Sequence, residues 1–195
     1  LETADFAKFS TQAIAGMSAS QIKALTTAQV VALTTEQAGA LTSDQVAALT
    51  TGQVVALETA DLTQLGTAQI QAMVASAVSQ LTTGQVAALK TEQFSALSSS
   101  QIRALNTSQV VAMTTAQAAA LSTTQVNAMT AEQFTAMETA DFKQLGTAQI
   151  SAISASAVPG LTTTQISGLS TDQIAVLSST QVLAMSTAQI SSFVV

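Results

Sequence analysis

The sequence predicts an all-α protein, a repeat solenoid in which every eight residues supply one very short helix. Three observations predict it. The 195 residues fall into 24 octads from Leu1 to Ser192 without an insertion or deletion, followed by Phe193, Val194 and Val195. Apolar residues recur at positions one and six of the octad, and most octads carry Ser or Thr at position two with Gln three residues later. So strict a register marks an architecture built by stacking one small unit.

The stretch LTTAQVVALTTEQAGALTSDQVAALTTGQVV, residues 25–55, shows the frame. Position one is Leu in sixteen octads, Met in six, and Phe9 and Ile153 in the others; position six is Val, Ile, Leu or Phe except at Ala38 and Ala118. These two positions are the expected core. A continuous α-helix cannot bury them on one face, because eight residues at about 100° each overshoot two turns by about 80°. A plain strand fails as well, since positions one and six have opposite parity and point to opposite faces of a sheet. The element therefore has to restart in every octad.

The restart signal is a capping box. The hydroxyl of an N-cap Ser or Thr accepts from the backbone N–H three residues on, and the Gln at that place reaches back to the N-cap N–H. Thr26 with Gln29 and Thr82 with Gln85 are examples, and the flanking pair Leu25 and Val30 falls where a hydrophobic staple belongs. Each octad is predicted to form a helix of five or six residues from position three to about position eight. Where position two is Glu58, Gly66, Lys90, Glu138 or Gly146, the following Thr59, Thr67, Thr91, Thr139 or Thr147 is the expected cap, which shifts the start by one residue. One octad buries too little to order itself, so each must stack on its neighbours, and residues 1–195 read as a single continuous octapeptide-repeat solenoid. A parallel β-solenoid is the alternative, distinguishable by a strand-dominated circular dichroism spectrum. The number of octads per turn is not determined, since neither two nor three divides the spacings below cleanly.

Composition narrows the function. Charged residues are 8% of the chain, the net charge is −6, and the cations are Lys8, Lys23, Lys90, Arg103 and Lys143, scattered singly. No basic patch exists to meet nucleic-acid phosphates. The apolar runs are a few residues long, far short of the roughly twenty that span a bilayer. With no Cys and no His, neither a disulfide framework nor a zinc site is expected. A Ser or Thr nucleophile would lack a base, so no catalytic residue, no cofactor and no small-molecule substrate is expected. The chain opens at Leu1 without Met or a signal sequence, which predicts a processed product or a piece of a longer protein.

Some octads depart from the pattern. LETAD opens at Leu1 and Leu57 and METAD at Met137, with Asp5, Asp61 and Asp141 where Gln normally stands. The second and third of these are followed by LGTAQI and then by MVASAVSQ or ISASAVPG, where Ala77 and Ala157 replace the Gln, so a three-octad cassette is duplicated. The spacings of the three Asp residues are seven and ten octads. A lone Glu-x-x-Asp lacks the six to eight oxygens of a calcium loop; these acids read as first-turn carboxylates on the helix dipole. The Gln row reads as capping plus a ladder of side-chain amides between repeats, and the Met row as core filler. Pro159 and Gly160 close an octad where a helix should stop.

Two resemblances arise from these residues. A single octad such as LTTAQVVAL is similar to the first helix of a TAL-effector repeat, but the second helix and base-reading loop of that family are missing. From Leu1 to Val195 the chain resembles LTTxQVxAL octad arrays of very large secreted or surface proteins of bacteria, of adhesin-like or haemolysin type. That resemblance implies an extracellular bacterial origin and a structural role.

Soluble solenoids end in polar caps, whereas both ends here are apolar. Leu1, Phe6 and Phe9 at one end, and Ile190, Phe193, Val194 and Val195 at the other, form the expected assembly interface of a filament in which copies stack head to tail. The competing expectation is a stalk, a non-assembling spacer within a giant adhesin. A third is ice recognition by rows of Thr hydroxyls at positions two and three.

Overall fold

The computed structural model describes residues 3–193, which form 23 α-helices and one 3₁₀ turn with no strand among the described residues. The protein is an all-α repeat solenoid, and the β-solenoid alternative falls away. The helices keep the octad frame: Thr51–Ala56 and Thr83–Ala88 have six residues, Thr27–Val31 and Thr91–Ser95 five. Four-residue helices occur at Thr59–Leu62 and Thr139–Phe142, and the octad with Pro159 tightens into a 3₁₀ turn, Val158–Gly160.

After a six-residue helix the two linking residues are extended, as Leu49 (φ −59°, ψ 133°) and Thr50 (φ −70°, ψ 160°) show; after a five-residue helix a further residue in helical conformation, such as Ala32, precedes them. No described residue has positive φ, so the chain changes direction at each octad without a left-handed glycine. The box does this work. In the octad of Thr82, its Oγ1 accepts from Gln85 N–H at 3.1 Å while Gln85 Oε1 accepts from Thr82 N–H at 2.9 Å.

The expected shift of the cap does not occur. Glu58, Gly66, Lys90, Glu138 and Gly146 occupy the N-cap themselves in extended conformation, and the helices still begin at Thr59, Thr67, Thr91, Thr139 and Thr147. At Gly66, Lys90 and Gly146 the returning Gln persists without a capping hydroxyl, as in Lys90 N–H to Gln93 Oε1 at 2.9 Å, whereas the Glu58 and Glu138 octads keep the start with Asp61 or Asp141 in place of that Gln. That Gln is fixed from its other end by contacts described below.

The structure comprises two compact units, Leu1–Leu97 and Ser98–Val195. In the first, Ser43–Ala48 packs against Ala19–Lys23 and Thr67–Ala72, that is, on helices three octads away on either side. In the second, Thr147–Ala152 packs on Thr123–Ala128 in the same way. Positions one and six fill the interior of each unit: Leu57, Leu62, Ile70 and Met73 in the first and Phe134, Met137, Phe142 and Ile150 in the second are buried. Phe134 and Phe142 meet edge to face at 6.4 Å. Position eight is mostly Ala and half-buried, small enough for neighbouring helices to approach.

Candidate assembly faces

The position-five Gln joins successive turns. Gln45 lies 2% exposed in the sixth octad; its Oε1 accepts from Thr42 N–H at 2.7 Å, and its Nε2 donates to Ile14 O at 2.8 Å and Met17 O at 2.7 Å. Those carbonyls belong to the second and third octads, so one turn holds between three and four octads. Gln53 repeats the pattern onto Ile22 and Leu25, and in the second unit Gln133 onto Ile102 and Leu105, Gln181 onto Ile150 and Ile153, Gln189 onto Val158 and Leu161. The acceptors lie 28 and 31 residues back each time. The ladder expected of the Gln row therefore runs from amide to backbone carbonyl, not from amide to amide. A buried side-chain amide is satisfied at both ends, and the same residue both starts a helix and ties it to the turn before.

This device gives each turn two unlike faces. The face toward the chain start offers the position-one side chain and the Gln amide; the opposite face offers the position-six side chain and the carbonyls. Inside a unit each face covers the other.

At the start of the first unit the position-one face is open. Phe9 is 38% exposed, and Met17 and Leu25 are half-buried, whereas from Leu33 to Leu97 the same position is buried. Gln21 is exposed, with its Oε1 accepting from Ser18 N–H at 2.7 Å. With Phe6, Ala13 and Gln29 these residues line a pit of about 240 Å³. At the end of the second unit the position-six face is open. Ile174, Val182 and Ile190 are 41%, 42% and 46% exposed, although Ile166 one octad earlier is fully buried. The carbonyls of Ile174 and Val182 accept from Leu177 N–H at 3.2 Å and Met185 N–H at 3.1 Å.

The residues expected at the interface are distributed unevenly over these faces. Phe9 and Ile190 are presented on them, and Phe193 is half-buried with its N–H on Ile190 O at 3.2 Å. Phe6 is corrected: at 1% exposure it is the floor beneath Phe9, which it meets edge to face at 5.6 Å, because a position-six side chain points into its own unit at this end. Leu1, Val194 and Val195 lie outside the described residues. Met17, Leu25 and Gln21 at one end and Ile174 and Val182 at the other went unnoticed in the sequence. An end is a whole turn wide, and the size of a turn is what the octad pattern leaves open.

The hydroxyl rows divide. At position two they are spent on caps, as Thr34 Oγ1 on Gln37 N–H and Thr130 Oγ1 on Gln133 N–H, while at position three Thr83, Thr91, Thr107 and Thr115 are exposed. The Asp residues divide as well. All three stand in the first turns of their helices, as expected, but Asp5 is exposed and pairs with Lys8 at 3.0 Å, whereas Asp61 and Asp141 are buried. Among the described residues no three carboxylates group together, and no helix is long and apolar enough to cross a membrane.

The ALTTAQ repeat model matches residues 1–35, 23–51, 54–91, 86–123 and 134–171. The chain belongs to the ALTTAQ repeat family. Four of the five matches span 35 or 38 residues, long enough to hold a Gln together with the carbonyls 28 and 31 residues before it. The matches at 54–91 and 134–171 lie in the same phase of the octad frame, and each contains one of the duplicated cassettes. No curated protein matches the chain significantly.

Proposed function

We propose that the chain is a structural subunit, not an enzyme, that polymerises head to tail into an extracellular filament of bacterial origin. The complementarity of the two open faces carries this reading. One copy presents Ile174, Val182, Ile190 and a row of carbonyls; the next presents Phe9, Met17, Leu25 and the Gln21 amide. Joined, they repeat the contact that each internal turn makes with the next, apolar side chains closing first and amides on carbonyls setting the register. Such a heterologous contact does not consume itself in a ring unless the rotation closes, so it propagates. The extracellular setting rests on the likeness to octad arrays of secreted bacterial proteins.

Electron microscopy of the purified chain over a hundredfold concentration range tests it. Fibres appear above a threshold concentration. Met17→Glu and Val182→Glu each abolish them, because either places a charge in a closing apolar face. A mixture of the two variants recovers only dimers, since one good face remains on each. Fibres that persist in both single variants overturn the proposal.

The same faces favour a second reading, a stalk in which further octads of a longer polypeptide cover them. In that case the isolated chain stays monomeric at every concentration, and adding octads to either end removes the exposed apolar face without creating fibres.

A further inference from the structure

Asp61 and Asp141 stand where the pattern demands a donor. The octads on either side of Asp61 carry Gln53, which donates to Ile22 and Leu25, and Gln69, which donates to Gly39 and Leu41. The same register sets Val30, Val31 and Leu33 carbonyls opposite Asp61. Asp141 lies between Gln133, bonded to Ile102 and Leu105, and Gln149, bonded to Ala119 and Leu121, so Val110, Val111 and Met113 carbonyls face it. Both residues are nine-tenths buried or more, and in each Oδ2 is buried with no hydrogen-bond partner. An ionised carboxylate only accepts, and here the opposing groups are acceptors too.

The surroundings supply no cation. The helix Thr59–Leu62 packs on Thr35–Gly39, which brings Glu36, and on Thr83–Ala88, which brings no charge; its own octad adds Glu58. The helix Thr139–Phe142 packs on Thr115–Ala119 and Thr163–Ser167, neither charged, with Glu138 in its own octad and the exposed Lys143 just beyond. In both units the helix three octads earlier is the one with Ala at position six, Ala38 or Ala118, so the two departures from the pattern are packed together.

We propose that the Asp61 and Asp141 octads are proton-operated latches: protonated, each carboxylic acid donates from Oδ2 to the carbonyl row of the preceding turn as Gln does elsewhere; ionised, it releases that turn. One proton binds at each Asp, with no other bond made or broken. Burial above all, and then the charge of Glu58, raises the Asp61 carboxyl above the ordinary aspartate range, against the opposing hydrogen bond from the Glu58 backbone; burial and then Glu138 do the same to Asp141. A group whose folded pKa is raised stabilises fully below its unfolded value and loses that contribution as pH rises through the folded value. The latches therefore close in acid and open toward neutrality.

The test compares the full chain with D61N/D141N in a chelator-containing buffer, following the urea midpoint by circular dichroism from about pH 4 to about pH 7.5. Asn copies the protonated acid, so the variant keeps the acid midpoint at neutral pH while the parent's midpoint falls. A control, D44N/D172N, removes two exposed acids and retains the parent's fall. Carboxyl carbon titration of the parent by NMR gives an independent reading, in which Asp61 and Asp141 titrate above the ordinary aspartate range. Parallel pH profiles for parent and D61N/D141N overturn the proposal. So does recovery of the parent's neutral midpoint by added calcium alone, which makes the sites cation-binding, and so does titration of the two buried carboxyls within the ordinary aspartate range.

Discussion

Replacing Gln53 with Met tests the amide-to-carbonyl tie directly, because Met keeps the length and apolar stem and removes every polar contact. Gln53 is 2% exposed; its Nε2 donates to Ile22 O at 2.9 Å, Lys23 O at 3.3 Å and Leu25 O at 2.7 Å, and its Oε1 accepts from Thr50 N–H at 2.8 Å. An NH₂ group has two hydrogens, so two carbonyl bonds are well made and the third shares. Ile22 O keeps a bond from Leu25 N–H, and Thr50 is exposed and can turn to water, while Leu25 O loses its donor. At about 1 kcal/mol for a bond whose partner finds another and up to about 2 kcal/mol for one left buried, the loss is about 3 kcal/mol. If the array melts as one body, that is a fall of roughly 6 to 12 °C. The assay is urea or thermal denaturation followed by circular dichroism, with exposed Gln64→Met as the control. A loss within about 0.5 kcal/mol of that control refutes the view that these ties hold the turns together.

The remaining predictions are smaller in scope. Thr82→Ala costs about 1 kcal/mol in the same denaturation assay because it removes the acceptor of Gln85 N–H, whereas exposed Thr83→Ala stays within about 0.5 kcal/mol. Gly160→Ala sets a Cβ 2.1 Å from Ala131 O and 2.6 Å from Ala131 Cα, and so costs about 3 kcal/mol or more, visible as a lowered melting temperature. Gly52→Ala meets nothing within 4 Å inside a helix and raises stability by about 0.5 to 1 kcal/mol. In the pH series, exposed Glu36 and Glu132 act in the sense opposite to the buried Asp pair. Backbone bonds and then Thr34 or Thr130 lower their carboxyls, so any contribution they make is present at neutrality and lost in acid. Subtracting the D61N/D141N profile removes them.

The sequence by itself determined the element and its length. An eight-residue period excludes an uninterrupted helix or strand on geometric grounds, and the Thr26 to Gln29 box with its Leu25 and Val30 staple places the start and stop within one residue. It also marked positions one and six as core, because only there does a large apolar residue recur in nearly every octad. The cap at Lys90 went astray because a local rule, hydroxyl first, was applied where the distant contacts of Gln93 decide. Only the tertiary structure showed that buried position-five Gln residues such as Gln45, Gln53 and Gln133 have further bonds 28 to 31 residues back. That offset is set by how far each short helix rotates against the next, a matter of side-chain packing that an octad repeated in register cannot encode on its face. From it follow the three-to-four-octad turn, the width of the open faces at Phe9, Met17 and Leu25 and at Ile174, Val182 and Ile190, and the burial of Asp61 and Asp141. The octad dictates what each helix offers; the turn dictates what it meets.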